Sequence, residues 1–74
     1  MEIDTNKIDD MVLALLWLTA HDEDRAWKGH DWDAMGRLFQ KGYICDPRGK
    51  AKSVVFTDQG LKRAEELFKG YFSR

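Results

Sequence analysis

Residues 31–60 read DWDAMGRLFQKGYICDPRGKAKSVVFTDQG, and the order of signals within them decides the fold. Asp31 suits an N-cap, because its carboxylate can accept from the unpaired amides of a first helical turn. Trp32, Met35, Leu38 and Phe39 follow at helical spacing as a buried stripe, and Gly42 supplies a C-terminal stop. Residues 43–45 and 53–57 then read as strands, the second strongly so through Val54, Val55 and Phe56. Between them Asp46-Pro47-Arg48-Gly49 suits a type I turn, with proline second and glycine fourth. Thr57 or Asp58 caps a last helix whose apolar face is Leu61, Ala64, Leu67, Phe68, Tyr71 and Phe72. A short helix, a basic-tipped hairpin and another helix make up the second half of a winged helix.

Upstream, a first helix is expected to begin near residues 4–6, with Asp9 and Asp10 in early turns where the helix dipole favours acids. Ile8, Met11, Val12, Leu15, Trp17 and Leu18 recur at helical spacing, and Leu13 and Leu16 widen the stripe beyond one face. A helix apolar on nearly all sides is either central to its domain or half-buried in a second chain. The first option is expected here. The second would be a homodimer through Leu13 and Trp17. Residues 21–30, HDEDRAWKGH, show no apolar period and read as a loop with one helical turn around 24–27. A full helix-turn-helix would place its second helix there.

These signals predict a small α+β domain over residues 1–74, winged-helix-like, with three helices and a two-stranded antiparallel hairpin in the order α-α-β-β-α. Its core should hold Trp17, Trp32, Leu38, Phe56, Leu61 and Phe68. Seventy-four residues are enough for one domain, and a domain of that size buries only about 60% of its unfolded surface.

The formal net charge of −1 argues against a polycation that coats nucleic acid, but the charges are unevenly spread. Residues 1–35 carry nine acids and three bases, whereas residues 36–56 carry five bases against Asp46 alone, so the hairpin should form a positive end. Cys45 is the single cysteine, which excludes an internal disulfide, and the apolar run 11–18 is too short to span a bilayer. A cytoplasmic protein is expected, with no membrane contact.

Two resemblances extend this reading. Residues 37–68, through RLFQKGYI, the basic hairpin and VVFTDQG, resemble the C-terminal half of winged-helix regulators of the multiple-antibiotic-resistance class. The whole chain, through IDDMVLALLWLTAHD, DRAWKGHDWDAMGRL and GKAKSVVFTDQGLKRAEELF, is similar to a family of short stand-alone bacterial proteins of unknown function. The first implies a fold that serves DNA binding or protein docking. The second implies a bacterial cytosolic protein and brings no activity.

Four constellations are candidate sites. Arg37, Lys41, Arg48, Lys50 and Lys52 could contact phosphates from a groove-facing helix and a wing, and five such contacts give a log–log salt slope of about −4 to −5. Asp31 and Asp33 oppose this at the helix end that would approach phosphate, and a solvated edge hairpin explains the lysines equally. Leu13, Trp17 and Trp27 are candidates for a protein interface. Trp27 and Trp32 are otherwise expected to close the core over the first helix, with Arg25 paired to a nearby carboxylate. His21, Asp22, Asp24 and His30 lack any metal-ligand spacing, so no metal or cofactor is expected. Cys45 lies beside Asp46 and no histidine partner can be placed for it; it reads as a small buried or half-buried side chain. No enzyme and no small-molecule substrate is expected. The favoured function is a non-enzymatic protein-interaction module, with a protein partner or a homodimer, and the alternative is a DNA-binding regulator that uses residues 31–41 and the wing 46–52.

Overall fold

The first helix occupies the middle of the molecule. In the computed structural model, which describes residues 1–74, α1 (Thr5–Leu18) is followed by β1 (Arg25–Trp27), α2 (Trp32–Gln40), β2 (Ser53–Val55) and α3 (Asp58–Phe72). α1 touches α2, α3 and β1, so its breadth of apolar residues is used on several sides. Asp4 caps it, accepting from the Lys7 amide at 3.1 Å. Its inward face carries Asp9, Val12, Leu13 and Leu16, and with Ala14 these are fully or almost fully buried.

The fold class is as expected: three helices and one two-stranded antiparallel sheet in a small α+β domain. The main partner of β2 differs. Residues 21–30, read as a loop, contain β1, which pairs Arg25 with Val55, Ala26 with Val54 and Trp27 with Ser53. Alternation places Ala26 and Val54 inward, so a strand of three residues with a single apolar inner position leaves no visible period in the sequence. Asp22 and Glu23 take positive φ, 48° and 73°, to turn the chain back between His21 and Arg25. The hairpin read from residues 43–45 remains on the other edge of β2 as one bridge, Ile44 with Phe56, with the Cys45 amide donating to the Val55 carbonyl at 2.8 Å. Its tip is not closed as a type I turn. Asp46 accepts from the Arg48 amide at 2.9 Å, and Lys28 Nζ donates to the Pro47 and Gly49 carbonyls at 2.7 and 3.1 Å.

α2 ends as its sequence implies. Gly42 has φ +82°, the Gly42 amide donates to Phe39 and the Tyr43 amide to Leu38, which completes a Schellman cap. The same segment receives α3. Thr57 caps α3 through the Gly60 amide, and its hydroxyl donates to the Gly42 carbonyl at 2.6 Å. Gly60 rests on the backbone of Tyr43, whose Cα would lie 2.7 Å from an added Cβ and whose carbonyl would lie closer still.

Thirteen apolar side chains form one core, with Leu13, Leu16, Met35, Leu38 and Ile44 the largest. Leu38 and Phe56 are in it as expected, while Trp17, Leu61 and Phe68 are partly buried against it. Trp32 is not, being 53% exposed. The inner face of α2 is set by Ala34, Met35 and Leu38, and helical geometry places Trp32 and Phe39 on its flank, roughly a quarter-turn from the centre of that face.

Candidate functional site

The basic residues expected to meet phosphate are largely engaged within the chain. Asp9 is fully buried, and Arg37 donates to both of its carboxylate oxygens from Nε at 2.9 Å and from Nη2 to Oδ1 at 2.8 Å. Lys41 Nζ reaches Asp9 Oδ2 at 2.8 Å and Asn6 Oδ1 at 3.2 Å. Burial alone would push the Asp9 carboxyl up, but hydrogen bonds from Arg37 and Lys41 and their charges outweigh it and hold the group below the usual carboxylate value. Asp9 therefore does not serve the helix dipole. It anchors α2 to α1 and removes Arg37 and Lys41 from the proposed nucleic-acid face.

Arg48 is likewise occupied. It grips Asp46 from Nε at 3.0 and 3.1 Å and from Nη2 at 2.7 Å, and its side-chain and backbone hydrogen bonds lower Asp46 to about 2. Lys50 and Lys52 form no ion pair and stand exposed on the wing. Of five candidate phosphate contacts, two are free of an internal carboxylate, and the positive end implied by the charge count is correspondingly weaker.

α2 also presents two aromatic rings to solvent beside the wing. Trp32, Gly36 and Phe39 lie at i, i+4 and i+7 on one side, with Trp32 53% and Phe39 41% exposed. Facing them across a groove of about 270 Å³ are Asp46, Pro47 and Arg48 of the wing, and Gln40 lines its end. Nothing lies within 4 Å of a Cβ built on Gly36, so this glycine marks an open notch rather than a close backbone approach. Lys28, already holding the wing tip, lies 6.0 Å from the Trp32 ring centroid, where a cation is attracted to an aromatic face.

The remaining candidates separate. Leu13 is completely buried and cannot form an interface in the folded chain. Trp17 is half-buried against Phe68, with ring centroids 4.9 Å apart. Trp27 is 52% exposed and does not close the core; it stacks on His21 at 4.6 Å. His21 Nδ1 lies 2.9 Å from the Thr19 carbonyl, which can only accept, so that nitrogen carries the hydrogen. Arg25 forms no ion pair, and Cys45 is exposed rather than buried. His21, Asp22, Asp24 and His30 do not gather into a group that could hold a metal ion. No helix is long and apolar enough to cross a membrane.

Sequence reasoning missed Asp9 and Lys28. Asp9 had a usable signal, since it shares a helical face with Val12, Leu13 and Leu16 and is the one charge on that face. Lys28 had none, because its partners are backbone carbonyls some twenty residues away.

Fold and groove together define a small α+β domain in which the side of α2 that lines the groove is aromatic rather than basic. The chain belongs to the family described as "Domain of unknown function (DUF6429)", whose model matches residues 4–74. The uncharacterised protein y4hR of Sinorhizobium fredii is similar to it, 62% identical over 74 residues, covering 100% of both chains. No solved structure matches it.

Proposed function

We propose that this chain is a non-enzymatic protein-interaction module of the cytoplasm, and that it receives a segment of another protein in the groove between α2 and the wing. The observation that supports the reading is the division of α2 into two sides. Its cations, Arg37 and Lys41, turn inward onto Asp9, while Trp32, Gly36 and Phe39 face solvent beside the wing. A helix that reads phosphate or base edges needs the reverse arrangement. Aromatic walls around a glycine notch suit one apolar side chain of an extended segment, and Arg48 and Gln40 supply polar contacts at the rim.

A displayed peptide library tests this directly. Peptides enriched on the wild-type chain should bind it in calorimetric titrations, and Trp32→Ala or Phe39→Ala should weaken them about 10- to 100-fold, as truncation of a central aromatic does. Peptides that bind both variants as tightly as wild type would place the docking surface elsewhere. Tight, salt-sensitive DNA binding that falls with Lys50→Ala and Lys52→Ala would replace the reading with the regulatory one.

A further inference from the structure

We infer that α1 joins two copies of this chain in an antiparallel pair, through a stripe its own domain leaves only half-covered. The stripe is Ile8, Met11, Leu15 and Leu18, which lies on the side of α1 away from buried Asp9, Val12, Leu13 and Leu16. Ile8 is 37% and Leu18 62% exposed, and Met11 and Leu15 between them are only partly covered. From Met11 to Leu18 the helix contains no polar residue, so its outer side has nothing suited to water.

A second copy fits this stripe better than an unrelated helix for two reasons. The spacing runs three, four, three, the spacing of a coiled-coil seam, and it reads the same from either end. Reversing one helix about Leu13 sets Ile8 against the second copy's Leu18 and Met11 against its Leu15, which is the self-complementarity that a two-fold interface requires. The charges agree. Lys7 flanks the stripe with no ion pair in its own chain, and the last turn of α1 has no basic residue to meet its partial negative charge. The antiparallel arrangement brings each Lys7 to the other copy's Thr19, at that turn. A seam of three turns is short, so the association belongs to the weak end of specific interfaces. The stripe shares no residue with the α2–wing groove, and the pairing does not depend on that groove.

Sedimentation equilibrium between about 1 µM and about 1 mM covers the range of weak specific association. The wild-type chain should pass from monomer to dimer within it, and Leu18→Glu, which appears twice in a two-fold interface, should weaken the dimer at least about 100-fold. Ile8 and Leu18 are both exposed, so circular dichroism of dilute variants at these positions should match wild type. The double variant Ile8→Lys, Leu18→Glu should regain the dimer, because antiparallel pairing sets opposite charges against each other at both ends. Parallel pairing would set like charges together and leave it monomeric. A wild-type chain that stays monomeric throughout, a dimer unaffected by Leu18→Glu, or a double variant that fails to recover would each overturn the proposal.

Discussion

Asp9 is the residue on which most of the electrostatics turns. A fully buried carboxylate is tolerable only while Arg37 and Lys41 hold it, and the two sides of that bond are unequal. Both cations are partly exposed and can swing into water if Asp9 is replaced. Asp9 cannot follow them. Stranding an unpaired carboxylate in a core costs roughly 3–5 kcal/mol, comparable to the whole stability of so small a domain. Arg37→Ala with Lys41→Ala should therefore leave the chain largely unfolded at neutral pH, while Asp9→Asn should remain folded with a lower urea midpoint. The sign of the pH dependence follows from the lowered pKa of Asp9. As pH falls, the unfolded chain takes up the proton first, near its ordinary value of about 3.9, so the stabilisation is complete above that pH and is lost as pH descends toward the folded value. Urea midpoints from pH 7 to pH 3 should fall steeply at the acid end for wild type and more gently for Asp9→Asn.

At the scale of elements, glycines separate packing from propensity. Gly60 in the first turn of α3 abuts the Tyr43 backbone, which cannot rotate aside as a side chain would. Gly60→Ala gains about 1 kcal/mol of helix propensity but must part α3 from Tyr43 and strain the Thr57 cap, at the upper end of the roughly 1–3 kcal/mol that overpacking costs. Gly36→Ala meets open space and should raise stability by up to about 1 kcal/mol. Because Gly36 lines the groove, the same methyl group should weaken peptide binding. Thermal melts and calorimetry on the two variants read both effects.

The elements also show what the sequence could carry. Helix limits were legible because their signals are local: Asp31, Gly42 and Thr57 each cap the end that they mark. β1 was not, since three residues with one inward alanine gain their identity only by pairing with β2 across the fold. The groove was only partly legible as a place where two stretches of the chain meet. Trp32, Gly36, Phe39 and Gln40 do line one groove with Asp46, Pro47 and Arg48, but which side of α2 faces it is fixed by which face Ala34, Met35 and Leu38 bury. That buried face turns Trp32 outward and Arg37 inward.

For the whole molecule, the charge count overstates the field. With Arg37, Lys41 and Arg48 each bound to a carboxylate, Lys50 and Lys52 remain on the wing. Any DNA association should then show a log–log salt slope of about −2, set by two released counterions, in place of the −4 to −5 of five free cations. Binding of labelled duplexes at about 50 mM and about 200 mM salt measures it; a slope beyond about −4 would mean that the Asp9 and Asp46 pairs open on DNA.

Trp27 and Trp32 already meet water in the folded state, and Trp17 is half-buried against Phe68. Unfolding thus carries only one of three indoles from a partly apolar to an aqueous surrounding, and the native emission maximum should lie toward the red from the start. The chain's intrinsic fluorescence will be a poor witness to its own denaturation. It will be a sensitive one to anything that settles beside Trp32, where a blue shift without change in circular dichroism marks an occupied groove.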